Sequence, residues 1–209
     1  VANEFIDALG IHQFQKTAAG WRERLVDVSE AGPFMFRFVL SDSPPEVGIV
    51  PTGLKDACVG DVVEVRPAAS ALIHEFSSRL KRNPGCILLI DYGHNITACG
   101  DTLQAVKDHA YHDPMYMPGS ADLTAHVDFE ALCKAAVNSG VEVFGPITQG
   151  TFLTSLGIQT RARDLAEASP ANAREIAEVL ARLTSDDGMG ALFKVMALTS
   201  PGLPAPFGF

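Results

Sequence analysis

The sequence has no stretch of about 20 consecutive apolar residues, so no membrane-spanning helix is expected. It has no CxxC pair: Cys58, Cys86, Cys99 and Cys133 stand apart. No His sits at zinc-ligand spacing from paired cysteines, which leaves buried thiols in a reducing compartment as the simplest account. No GxGxxG turn, P-loop or GxSxG elbow occurs, so those nucleotide and hydrolase signatures are excluded from this stretch. His109 and His112 lie three apart near Asp108 and Asp113, but the run around them is not clearly helical and no metal site is assigned. The start shows no signal-peptide pattern.

Positive charge is also scarce. Sixteen basic residues face 25 acidic ones, a net charge of −9, which repels nucleic-acid phosphates and suits a basic partner. Apolar residues make up 47% and charged residues 20%, so the chain can fold around a core and general disorder is excluded.

Gln13 to Thr17, Trp21 to Ser29 and Phe34 to Leu40 mix apolar and polar residues. With Ala19-Gly20 and Ala31-Gly32 as turns, they predict a small antiparallel meander. Ser41 to Gly60 reads as a loop and Val62 to Val65 as a strand. Pro67 opens a helix with Leu72, Phe76 and Leu80 at spacing four and basic residues in its last turn. Cys86-Ile87-Leu88-Leu89-Ile90 predicts a strand buried on both faces, of the kind common in parallel sheets.

Asn95 to Thr124 carries no clear period and reads as a long functional loop. Helices are expected from Asp128 to Ala136, Gln149 to Leu156, Arg161 to Ala168 and Ala171 to Leu183. Strands are expected at Val141 to Phe144 and Ala191 to Leu198. The tail from Ser200 has no signal for regular structure. Alternating helices and apolar strands imply an α/β sheet.

Four polar clusters could carry chemistry. Asn3-Glu4-Phe5-Ile6-Asp7 follows a probable strand end, where ligands bind in open α/β sheets; a helix N-cap reads equally well there. Asp91, Tyr92, Gly93 and His94 end the most apolar strand, and a solvated turn is the alternative. Asp122, Thr124, His126 and Asp128 form the third cluster, where a lone histidine more often makes one structural hydrogen bond than it catalyses. Thr148-Gln149-Gly150 precedes a helix and reads chiefly as a cap.

ANEFIDALGIHQF, GWRERLV, LLIDYGH, GDTLQAVKDHAYHDP, PGSADLTAHVDF, ITQGTFLTSLGI and MGALFKVM together resemble the MidA family of methyltransferases, from Val1 to about Leu198. The resemblance implies S-adenosyl-L-methionine (SAM) as cofactor. Mitochondrial members assemble respiratory complex I and methylate an arginine on one of its subunits. The implied fold is α/β: the second half of a Rossmann-like class I methyltransferase sheet with a small β meander inserted at about 11–66. Residues 1–199 would form the C-terminal part of that domain and 200–209 a tail. Gly10 stands where the family usually has proline. The family's glycine-rich loop and following acidic residue lie outside this sequence, so an N-terminal portion is expected before Val1.

On this reading Glu4 and Asp7 face the methyl-transfer centre and Asn3 touches the cofactor. Asp91, Tyr92, His94, Asp122 and His126 bind a protein substrate with an exposed arginine. The 95–124 loop, with its acidic residues, is expected to act as a lid over a basic peptide. A homodimer is left open; nucleic acid and membrane insertion are not expected. The setting is cytoplasmic for a bacterial chain and the mitochondrial matrix for a eukaryotic one. The alternatives are a non-catalytic assembly factor on a methyltransferase fold, or transfer to a small molecule.

Overall fold

The computed structural model describes residues 1–30 and 35–209. The predicted turn at Ala31-Gly32 and the first predicted residue of the third strand, Phe34, lie outside the described residues.

The chain begins with β1 (Ala2–Asn3) and passes into an antiparallel excursion of β2 (His12–Thr17), β3 (Gly20–Val28), β4 (Phe36–Leu40) and β5 (Val62–Val65). These four pair in the order β4-β3-β2-β5, the expected meander with Val62–Val65 added at its edge. Phe14 and Val63 sit opposite each other in the β2–β5 register and are both 1% exposed, which anchors that edge.

Helix α1 (Pro67–Arg82) starts with proline at its first turn, where the missing N–H costs nothing, and ends on three basic residues. Its buried face is Ala69, Ile73, Ser77 and Leu80, with Phe76 partly buried against the core. The stripe is thus rotated slightly from the predicted Leu72-Phe76-Leu80 line.

β6 (Cys86–His94) is the central strand. β1 pairs with it in parallel, Ala2 opposite Leu89 and Asn3 opposite Ile90. Further along, β10 (Val127–Asp128) also pairs in parallel, Val127 opposite Gly93. On the antiparallel side lies β12 (Phe193–Thr199), followed by β11 (Glu142–Thr148), also antiparallel. Helix α2 (Phe129–Asn138) packs with α1 on one face, where Leu89, Met196 and Leu198 are fully buried. Each such side chain contributes roughly 1.5–3 kcal/mol of hydrophobic stabilisation.

The expectation of burial on both faces, made for β6, does not hold; the strand buried on both faces is β12, whose Val195 to Leu198 are all 0% exposed. In β6, Cys86 is exposed and Leu88 and Ile90 are half-buried. Within the apolar run only Leu89 is fully buried, and burial on both faces comes further along, at Asp91, Tyr92 and Gly93.

The 95–124 segment also differs from its reading as a loop. It contains β7 (Gln104–Lys107), β8 (Ala110–His112) and β9 (Asp122–Thr124), a small antiparallel sheet in the order β8-β7-β9. Three- and four-residue strands are too short to show an alternation.

Between β11 and β12 lie α3 (Gln149–Ser155), α4 (Ile158–Ala168), α5 (Ala173–Thr184) and the short α6 (Met189–Leu192). Thr148 caps α3, its hydroxyl accepting the Thr151 N–H, so the predicted cap is present. The apolar stripe of α5 faces α4 across an open groove of about 530 Å³, and no residue of either helix is fully buried. The tail has no regular element, yet Phe209 packs on Phe152 and Phe144 at 5.3 and 6.4 Å between ring centres.

Candidate functional site

β1 meets β6 at its middle and β10 meets it at its carboxyl end, and the turn after β1 follows directly on the first pairing. Asp91 organises that turn. It is 1% exposed, and its Oδ2 accepts the N–H groups of Phe5, Ile6 and Asp7 at 3.0–3.2 Å, while Oδ1 takes that of Tyr92 at 3.0 Å. A carboxylate serving four backbone donors fixes the chain path from Glu4 to Asp7. Burial, helped by the neighbouring Asp7, nonetheless lifts its pKa to about 6, against the opposite pull of those N–H groups.

Glu4 is exposed and has φ of +46°, a left-handed conformation that costs a non-glycine residue roughly 1–2 kcal/mol. Its N–H is tied to the Ile90 carbonyl at 3.0 Å, and the Asn3 amide donates to its carboxylate at 3.2 Å. Strain of this kind is held in place by the surrounding bonds.

Asp7 lies deeper, 5% exposed. Tyr92 donates its hydroxyl to Asp7 Oδ2 at 2.6 Å, and Asp7 Oδ1 is buried with no partner. An orphaned buried carboxylate oxygen costs stability, so a donor arriving there would be held strongly. Burial first, then the bond to Asp7, pushes the Tyr92 hydroxyl pKa well above its ordinary value. The phenol therefore stays a donor.

His126 stacks edge-on against Tyr92, 5.6 Å between ring centres. Burial and then the nearby His94 push its pKa down, so the imidazole is neutral at pH 7. His94 ends β6, with its Nδ1 on the Ile96 carbonyl at 2.8 Å. Gly93 is required by close approach: a Cβ there would lie 2.0 Å from the Val127 carbonyl oxygen.

Asp7, Asp91, Tyr92 and His126 thus form one connected group, with Asn3 and Glu4 beside it at the end of β1 and His94 two residues beyond Tyr92. Asp122 is exposed on β9, two residues before Thr124, whose side chain contacts the Tyr92 hydroxyl.

Sequence reasoning passed over the residue that joins the two halves of this group. Arg66 sends Nε to the Leu9 carbonyl (3.0 Å), Nη2 to those of Asp7 and Ala125 (3.1 and 3.0 Å), and Nη1 to that of His126 (3.3 Å). Only a planar fork of donors can tie four carbonyls on two loops. Its signal was present: a cation at the positive end of α1 is misplaced unless it has partners elsewhere. Beneath it, Glu64 accepts the N–H groups of Thr102 and Leu103 and the Thr102 hydroxyl, and Thr102 Oγ1 accepts the His126 N–H at 2.9 Å.

The sequence that builds this group matches a known family. The family model described as putative S-adenosyl-L-methionine-dependent methyltransferase matches residues 1–147. The chain belongs to that family.

The chain is 39% identical over 202 residues to the human mitochondrial protein arginine methyltransferase NDUFAF7, covering 95% of this chain and 44% of that one. The Xenopus tropicalis counterpart is 37% identical, with 95% and 46% covered. The chain therefore spans about half the length of the curated relatives it matches. A crystal structure from Burkholderia thailandensis superposes with a TM-score of 0.87 at 30% identity, over 99% of this chain and 56% of that one. A likely methyl transferase from the same organism, bound to S-adenosyl-homocysteine, gives 0.85 at 30% identity, over 99% and 54%. These likenesses agree with a mixed α/β methyltransferase sheet.

Proposed function

We propose that this chain supplies the substrate-facing part of a SAM-dependent methyltransferase that modifies an arginine side chain of a partner protein, a complex I subunit being the target that the family resemblance implies. The observation that carries the reading is the buried Asp7 carboxylate. One of its oxygens is engaged by Tyr92 and the other is buried without a partner, in the turn that follows β1. The names of the curated relatives support arginine as the acceptor.

SAM, when bound, supplies an electrophilic methyl group on a sulfonium centre. The exposed Asn3 amide at the end of β1 suits one flank of such a cation. Asn3 would hold it there, and Glu4 and Asp7 would face the acceptor.

A guanidinium has a pKa above about 12 and approaches as a cation. Asp7 Oδ1 accepts one of its N–H groups, and Glu4 fixes the plane from the other side. The methyl group would pass to one guanidinium nitrogen, which Asp7 and Glu4 would hold in place, and a carboxylate would take up the proton that nitrogen loses. Positioning of this kind supplies roughly 7–11 kcal/mol of barrier reduction. Tyr92, His94 and His126 line the acceptor side, Asp122 stands on the approach, and Asp91 acts from beneath by shaping the turn.

Residues 1–199 would then be one part of the catalytic domain, with 11–66 inserted and 200–209 a tail. We assign the chain to the mitochondrial matrix if its source is eukaryotic and to the cytoplasm if bacterial.

The test is Glu4→Gln in the full-length enzyme. Turnover should fall at least about tenfold while cofactor affinity changes less than about twofold. Unchanged turnover would remove Glu4 from the reaction.

A further inference from the structure

Met35 and Phe36, at the start of β4, face the β8–β9 connection across a cleft of about 710 Å³. The opposite wall is Asp113, Met115, Tyr116, Met117 and Ser120. Met35 and Met117 are 51% and 54% exposed, and Tyr116 is 61% exposed. Methionine is unbranched and polarizable, and surfaces rich in it adapt to varied apolar side chains. One polar group waits among them: Ser120 Oγ is shielded from solvent and has no partner.

The charges around the cleft have one dominant sign. Asp108, Asp113 and Asp122 are exposed on the small sheet and its connections, against a single exposed lysine there, Lys107. Arg37, beside Phe36, is already paired with Asp27 at 3.3 Å. The fitting occupant is a basic polypeptide segment with an apolar anchor.

The cleft also lies at a defined reach from the candidate centre. Ser120 is followed by β9, which ends at Thr124 against Tyr92. Four residues span at most ~14 Å of extended chain. A substrate strand running alongside covers the same distance with about four residues.

We propose that this cleft docks an apolar side chain of the substrate polypeptide about four residues from the arginine placed beside Asp7. The inference rests on the arginine-transfer reading for its second half only, because the cleft is built wholly within this chain.

The test is fluorescence anisotropy with the full-length protein and a labelled peptide carrying one arginine, a leucine four residues away and flanking lysines. Leucine→Ser in the peptide, moving the leucine next to the arginine, or Met35→Asp and Met117→Asp in the protein should each weaken binding about tenfold or more. Both methionines are more than half exposed, so the fold does not depend on them. If the leucine is needed but arginine→Lys binds equally well, the cleft stands and the arginine reading falls. If arginine is needed but the leucine and its position are indifferent, the cleft proposal falls alone. No binding by any peptide overturns it as well.

Discussion

Tyr92 donates its hydroxyl hydrogen to Asp7 Oδ2 across 2.6 Å, joining a residue of the central strand to one 85 positions earlier in the chain. Both side chains are buried, at 8% and 5% exposure. Tyr92→Phe leaves a second Asp7 oxygen without a donor, which costs about 2 kcal/mol. Urea denaturation should show a lower midpoint with an unchanged slope; an unaltered midpoint would mean that the bond contributes nothing.

Asp91 predicts a pH dependence. Its folded pKa, about 6, lies above the ordinary 3.8. The folded state therefore holds this proton more tightly than the unfolded chain. The stability it contributes is full below pH ~4 and is lost as pH rises through 6, on the order of 3 kcal/mol. Asp91→Asn keeps an oxygen for the turn but cannot titrate. Its stability should be flatter than the parent's between pH 4 and 6, and parallel curves would refute the shift.

Arg66 bridges two loops through four carbonyls. Arg66→Ala strands those acceptors and should cost about 3 kcal/mol. Arg66→Lys, with one compact ammonium, should recover less than half of that. Hydrogen exchange at the Ala125 amide, which donates to the Asp7 carbonyl at 3.1 Å, should speed up in both. Protection equal to the parent's would count against the clamp.

Gly93→Ala puts a methyl group into the Val127 backbone, which cannot move aside as a side chain can. The expected loss is about 3 kcal/mol, roughly 6–12 °C in Tm for a chain of this size. A Tm within about 2 °C of the parent would show that β10 yields.

Much of this architecture was legible in the sequence. The helix from Pro67 and the strand from Cys86 follow from long periodic or apolar runs, and polar residues at strand ends flagged the Asn3–Asp7 and Asp91–His94 clusters. What stayed hidden has a common physical origin. The small sheet of β7, β8 and β9 is built from strands too short to carry a pattern. Arg66 and Glu64 act on backbone groups, and a bond to a carbonyl or an N–H leaves no trace in the partner's identity. Asp91 was found as a polar strand end, yet its service to three N–H groups from another part of the chain depends on β1 lying beside β6. That pairing is tertiary information.

The stretch from Gln104 to Thr124 enters and leaves the molecule at almost one point, because the Thr102 hydroxyl accepts the His126 N–H while Glu64 holds Thr102. With its two ends stapled, the intervening chain is an exchangeable cassette. Lengthening it adds little closure entropy, and replacing it leaves the carbonyl clamp untouched. Changes between Gln104 and Leu123 can therefore alter the outer face of the small sheet while Arg66 still holds Asp7, Leu9, Ala125 and His126 together.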